Sequence, residues 1–120
     1  MILREILEVL KATEVHVSDT TILDKDFTHV SVADLMSDAL AMVCSAGDKT
    51  FLLTGLVNAQ SIRTAEVLDI NTIIYVRDKT PQDVDLIIGK DMNMNLFTTR
   101  LSMYEACGLL YESGLQTATK

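Results

Sequence analysis

Residues 50–68 read TFLLTGLVNAQSIRTAEVL, and this stretch decides the fold. It opens with an apolar run at 50–54, passes through a turn at 55–58 and continues as a helix-forming segment from Ala59. A strand with one face in water would alternate apolar and polar residues, whereas a continuous apolar run indicates burial on both faces. The stretch therefore predicts one strand of a parallel sheet that lies between helices.

The same strand–turn–helix pattern occurs twice more along the chain. The predicted segments are a strand at 72–76, a turn at 77–80, a helix at 81–90, a strand at 95–98, a turn at 99–101 and a helix at 102–112. Asn58, Thr80 with Pro81, and Ser102 with Glu105 are residues that favour helix starts. Short linkers of this kind favour right-handed crossovers. The predicted fold class is α/β, with layered βαβ repeats and a mainly parallel sheet.

The first third of the chain is less regular. Its periodicity predicts a helix at 2–11, a strand at 14–18, a polar loop at 19–26 and a second strand at 27–32. Ser31 and Asp34 have the spacing of a capping box, which predicts that a helix follows and that Gly47 ends it. We expect residues 1–120 to form a single domain, with a frayed tail at 116–120.

The net charge and the distribution of apolar residues argue against some classes of partner and location. The net charge is −7, from 10 basic and 17 acidic residues, which argues against nucleic acid as a partner. Arg4 and Glu5 interrupt the apolar pattern of the N-terminus, and no stretch of about 18 uncharged apolar residues exists. These features predict a cytoplasmic protein with no membrane partner.

Ligands of open parallel sheets gather beyond the carboxyl ends of the strands. There the three turns lead into helix N-termini, whose amides suit an anion. Arg77, Lys79 and Arg100 add positive charge. The candidate ligand-binding residues are Thr54, Gly55, Asn58, Arg77, Thr98 and Thr99. The alternative is that the polar residues are ordinary helix caps and the cations are only solvated.

Enzyme and metal signatures are weak. In Gly47-Asp48-Lys49-Thr50, Asp48 separates the glycine from the lysine and no earlier glycine has the spacing of a phosphate-binding loop. His16 and His29 read as residues of strand faces and not as metal ligands. Asp78 with Thr99 or Ser102 is the one set with catalytic potential, and it lacks a histidine base. We therefore predict no catalytic residue, no metal and no enzyme activity.

The sequence leaves open the role of two acids in the predicted second helix. Asp34 and Asp38 lie four residues apart. They could present a polar face to a ligand or a partner, or serve as a capping acid and a solvated side chain.

Four segments resemble a known family. SVADLMSDAL at 31–40, LLTGLVN at 52–58, IRTAE at 62–66 and SMYEACGLLY at 102–111 are similar to stand-alone DRTGG-domain proteins, which resemble the N-terminal domain of HPr kinase/phosphorylase. The likeness extends over about residues 2–115. Thr54-Gly55 and Arg77-Asp78 stand at two of the positions that characterise the family, without its glycines at the second turn. The kinase domain of the larger relatives is absent.

The resemblance implies a regulatory α/β domain that pairs with itself. In some pyrophosphatase relatives this domain helps to form an adenine-nucleotide site at a subunit interface. We therefore expect a non-catalytic regulatory or ligand-sensing domain, a homodimer, that binds a nucleotide or another small anionic metabolite at the strand ends. The alternative is a module for protein–protein interaction, by dimerisation or docking, without a small ligand. No cofactor is predicted other than this adenine nucleotide.

Overall fold

The computed structural model describes residues 1–42 and 49–118. Its helices are α1 (Leu3–Leu10), α2 (Met36–Met42), α3 (Ala59–Val67), α4 (Asp83–Asp91) and α5 (Met103–Glu112), with a short 3-10 helix at Thr20–Asp24. Its strands are β1 (Thr13–Val17), β2 (His29–Val32), β3 (Thr50–Thr54), β4 (Thr72–Tyr75), β5 (Asn95–Thr98) and β6 (Gln116–Thr117). Within these ranges no helix has the length and apolar character needed to cross a membrane.

One sheet joins all of these strands in the order β1-β5-β4-β3-β2-β6. The pairs from β5 to β6 are parallel, and β1 alone runs antiparallel along β5, with a bulge between Glu14 and His16. The α/β class and the mainly parallel sheet predicted from the sequence are confirmed.

The two faces of the sheet carry separate apolar clusters. Phe51 and Leu53 of β3 pack in the cluster that contains α1 and α5. Leu52, between them, packs in the cluster that contains α2, α3 and α4. Because consecutive side chains of a strand point to opposite faces, a strand covered on both sides needs apolar residues at successive positions. This double burial explains the apolar run from which the fold was predicted.

The connections define where a ligand is expected. From β2 to β5 the chain moves to the neighbouring strand each time through α2, α3 and α4 on one face. It then returns through α5 on the other face to β6, beside β2. The chain thus leaves β4 and β5 toward opposite faces, and in such sheets this divergence marks the ligand crevice.

The predicted capping box at Ser31 is wrong. Ser31 lies in β2, where its buried hydroxyl has no hydrogen-bond partner. The chain stays extended because the Ala33 amide donates to the Leu53 carbonyl at 3.2 Å and prolongs the pairing with β3. The helix begins only at Met36. Its predicted end at Gly47 lies outside the described residues.

The predicted frayed tail at 116–120 is corrected for residues 116–118, and residues 119 and 120 lie outside the described part of the chain. Residues 116 and 117 pair with β2, and the Ala118 amide donates to the Val30 carbonyl at 2.9 Å. Ala118 itself is fully buried. The backbone groups along the open side of β2 attract this short strand because a neighbour satisfies them.

Two further boundaries differ from the prediction. Helix α4 begins after Gln82, without a side-chain cap, and not at Thr80 with Pro81, because the Thr98 hydroxyl donates to the Lys79 carbonyl and holds the preceding turn. The polar segment at 19–26 contains the short 3-10 helix, whose first turn is held by the Asp19 carboxylate accepting from the Thr21 amide.

Candidate ligand site at the carboxyl edge of the sheet

The three predicted turns lie side by side. They follow β3, β4 and β5, which are adjacent and parallel. The Arg77 amide donates to the Leu101 carbonyl at 2.9 Å, and the Asp78 amide donates to the Thr99 carbonyl at 2.7 Å. We call this region, residues 54–58, 77–80 and 98–101 together with Asp34, the carboxyl edge. The structure thus brings together the turns in which the candidate residues were predicted.

Gly55 lies at the centre of this edge. Asp34 Oδ1 accepts from the Gly55 amide at 2.7 Å and from the Thr54 hydroxyl at 3.4 Å. A Cβ added to Gly55 would lie 2.5 Å from Arg77 Nη2 and 3.2 Å from Asp34 Oδ1. Because glycine has no side chain, a guanidinium group and a carboxylate can both approach the backbone here.

The turn after β4 has an uncommon backbone. Arg77 and Asp78 have φ angles of 59° and 57°, in the left-handed region that glycine adopts most easily. The Lys79 amide donates to the Val76 carbonyl at 3.2 Å and closes the turn. These are the positions at which the family glycines were found missing, so the chain adopts a conformation that glycine favours while retaining two charged side chains.

Four of the six predicted ligand residues are engaged within the chain. The Thr54 hydroxyl accepts from the Leu56 amide at 3.1 Å, and the Asn58 carboxamide accepts from the Gln60 amide at 3.1 Å and caps α3. The other two are buried threonines: the Thr98 hydroxyl donates to the Lys79 carbonyl at 2.7 Å and the Thr99 hydroxyl donates to the Leu10 carbonyl at 2.6 Å. These side chains hold the edge together.

Two of the helices that start at this edge, α3 and α5, have side-chain acceptors for their first amides. Asp85 Oδ1 accepts from the Ala59 amide at 3.1 Å at the start of α3. At the start of α5, Ser102 and Glu105 form the predicted capping box. The starts of α3 and α5 are thus bonded within the chain, whereas α4 begins without a side-chain cap.

Three cations at the edge are exposed. Arg77, Lys79 and Arg100 form no ion pair with any residue the structure describes. Asp78 lies among them and is also exposed. A local excess of positive charge in a protein of net charge −7 suits a small anion.

Tyr75 lies beneath the edge, at the end of β4. Its hydroxyl is buried and has no hydrogen-bond partner among the described residues, and the neighbouring Ser61 hydroxyl donates to the Asn58 carbonyl at 2.8 Å. Burial raises the pKa of Tyr75 to about 12; Asp85 adds to this rise and Ser61 opposes it. The phenol stays protonated at neutral pH and belongs to the core.

The set considered for catalysis is not arranged for it. The Thr99 hydroxyl is bonded to a carbonyl and the Ser102 hydroxyl to the Glu105 carboxylate, at 3.0 Å. The His16 ring is bonded to Ser18, away from this edge. In the described part of the chain, no group of three His, Cys, Asp or Glu residues could hold a metal.

A second concave feature lies between β2 and α5. This pocket, of about 160 Å³, is lined by Val30, Val32, Cys107, Leu110, Tyr111, Leu115 and Thr117. Tyr104 and Tyr111 of α5 are 81% and 83% exposed. Cys107 is partly buried, and this burial raises the pKa of its thiol. The sequence alone did not identify this pocket, since its walls come from segments distant in the chain.

Comparison with solved structures gives a likeness of fold. No family model matches the sequence, and no curated protein matches it. Among solved structures, the chain is similar to the CBS and DRTGG domains of the regulatory region of Clostridium perfringens pyrophosphatase, which was determined with its activator diadenosine tetraphosphate. The TM-score is 0.68 at 20% identity.

That likeness covers 92% of this chain and 46% of the pyrophosphatase chain, so this chain spans less than half of that region. The two share a fold. The neighbour is the regulatory region of a pyrophosphatase.

Proposed function

We propose that this chain is a regulatory domain that senses a nucleotide or a similar small anionic metabolite at the carboxyl edge. Arg77 carries the proposal: it is exposed, it has no ion-pair partner among the described residues, and its guanidinium lies against the backbone of Gly55. A guanidinium binds phosphate through two parallel hydrogen bonds, which gives it both affinity and orientation.

Two further observations support this function. Arg77 and Lys79 lie where the chain leaves β4 and β5 toward opposite faces, the place where open α/β sheets bind ligands. The similar pyrophosphatase region binds diadenosine tetraphosphate, a nucleotide activator. An adenine nucleotide is therefore the first ligand to test. The same proposal includes a cytoplasmic location, a single domain over residues 1–120 and kinship with the HPr kinase N-terminal domain.

The test is calorimetric titration with adenosine monophosphate and with diadenosine tetraphosphate, together with thermal unfolding. At a ligand concentration of 100 times Kd, binding stabilises the fold by about 2.7 kcal/mol. We expect Arg77→Ala to weaken binding at least tenfold. Arg63→Ala is the matched control, because Arg63 is equally exposed and lies on α3, outside the edge. No binding at millimolar nucleotide, or equal effects of the two substitutions, would contradict the proposal.

A second candidate function is self-association through α5. The observation that favours it is the pair of exposed rings, Tyr104 and Tyr111, beside the apolar pocket; aromatic residues at such positions are enriched in interfaces. We expect Tyr111→Ser to lower the dimer fraction in sedimentation equilibrium. Val84→Ser, which changes an exposed apolar residue of α4, serves as the control. A wild-type chain that sediments only as a monomer would exclude the homodimer.

A further inference from the structure

We infer that Asp34 is the second ligand contact of the carboxyl edge and that it selects a ligand with sugar hydroxyls as well as a phosphate. The ligand class is then a nucleoside or sugar phosphate and not a simple anion. This inference rests on the proposed function and assigns to Asp34 a role in ligand selection.

The carboxylate of Asp34 is held in place by one oxygen only. Oδ1 accepts from the Gly55 amide at 2.7 Å, while Oδ2 has no hydrogen-bond partner among residues 1–42 and 49–118. The side chain is nevertheless exposed. One oxygen therefore fixes the position of the group, and the other remains an acceptor at the edge.

The placement matches a known way of binding ribose. Asp34 follows β2, and the turn at Gly55 follows β3, the parallel neighbour of β2. In dinucleotide-binding sheets, an acid at the end of the strand beside a glycine-rich turn accepts hydrogen bonds from ribose hydroxyls while the phosphates lie at the turn; there the acid follows the turn in the chain, whereas Asp34 precedes Gly55. Here the equivalent of the phosphate contact is Arg77, at the next turn along the sheet.

Asp34 and Arg77 present complementary groups close together. Oδ1 of Asp34 and Nη2 of Arg77 lie 3.2 and 2.5 Å from the same point beside Gly55, yet the two side chains form no ion pair. A ligand with hydroxyl donors and an anionic group can satisfy both. Sulfate, which has no proton to donate at neutral pH, can satisfy only Arg77 and is repelled by the carboxylate.

Asp34→Asn is the informative substitution. An asparagine keeps a carbonyl oxygen for the Gly55 amide, but it replaces the free acceptor by an NH2 donor and removes the charge. We expect affinity for adenosine monophosphate to fall at least tenfold, the usual weight of a hydrogen bond to a charged group. Affinity for sulfate should stay equal or rise. Asp38→Asn, on the exposed side of α2, is the matched control and should change neither.

The second measurement uses the wild-type chain and needs no variant. Adenosine monophosphate should bind at least tenfold more tightly than its 2′,3′-dideoxy analogue, and Asp34→Asn should abolish this preference. Equal wild-type affinity for the two nucleotides, or tighter binding of both adenosine monophosphate and sulfate by Asp34→Asn, overturns the inference and leaves the proposed function standing. Absence of nucleotide binding by the wild type overturns both.

Discussion

Replacing Gly55 by alanine should separate ligand binding from stability. The added Cβ would lie 2.5 Å from Arg77 Nη2, so the guanidinium has to withdraw by about 1 Å to reach an ordinary contact distance. It can do so because it is the far end of a flexible side chain. Asp34 Oδ1, at 3.2 Å, has to yield by only a few tenths of an ångström.

The two effects differ in size. Gly55 is not among the residues with positive φ, so alanine fits its backbone and reduces the entropy of the unfolded chain, by about 0.4–1 kcal/mol. This gain offsets the small weakening of the hydrogen bond that the residue-55 amide donates to Asp34. We therefore expect the free energy of unfolding to stay within about 1 kcal/mol of wild type. Displacing the guanidinium from the ligand should cost about 1.5–3 kcal/mol of binding, or tenfold to a hundredfold in Kd.

Urea denaturation and calorimetric titration with adenosine monophosphate measure the two quantities on the same samples. Gly108→Ala is the matched control, since a Cβ there meets nothing within 4 Å on the exposed side of α5. It should stabilise the helix by about 0.5–1 kcal/mol and leave binding unchanged. Wild-type affinity in Gly55→Ala would refute the placement of the ligand beside Arg77, and a large loss of stability would refute the claim that this side chain is free to move.

Three further substitutions test buried polar side chains of the sheet, two at the carboxyl edge and one at the opposite end of β5. Thr99→Val removes the buried hydrogen bond to the Leu10 carbonyl and should cost about 1–3 kcal/mol of stability in urea denaturation, without weakening nucleotide binding in the folded protein. Tyr75→Phe should be neutral or stabilising at pH 7, because its hydroxyl has no partner. The raised pKa of Tyr75 also makes its contribution fully present below about pH 10 and lost toward pH 12, so the variant should lose less stability over that range. Asn95→Ala leaves the amides of Ser18 and Asp19 without their acceptor and should cost about 2–3 kcal/mol, measured in the same way.

The repeated part of the fold could be predicted because local signals agree with tertiary structure there. The strands at 50–54 and 95–98 match their predicted bounds, and Ser102 caps α5 as expected. Ser31 was misread because a capping box is a local pattern, whereas the pairing of β2 with β3 joins segments that are distant in sequence. The strand β6 was missed for the same reason, because the sequence at 116–118 carries no local pattern that indicates pairing with β2.

The candidate site could be located from sequence but not resolved into roles. The strand order brings the three turns together, and the apolar runs were enough to predict the parallel sheet that does so. Which polar groups are already bonded within the chain depends on distances between turns. Thr98 and Thr99 thus looked like ligand contacts until their carbonyl partners were known, and Asp34 looked like a capping acid until its bond to Gly55 was known.

The left-handed turn at Arg77 and Asp78 has a consequence for how a bound ligand can be reported to the rest of the molecule. The Arg77 and Asp78 amides donate to carbonyl groups of the turn after β5, so the main chain there resists displacement. Asp34 is held by hydrogen bonds from the Gly55 amide and the Thr54 hydroxyl to its Oδ1 atom, and it lies two residues before the start of α2. Hydrogen exchange on nucleotide addition should therefore change most in α2, and least in the amides that join the second and third turns.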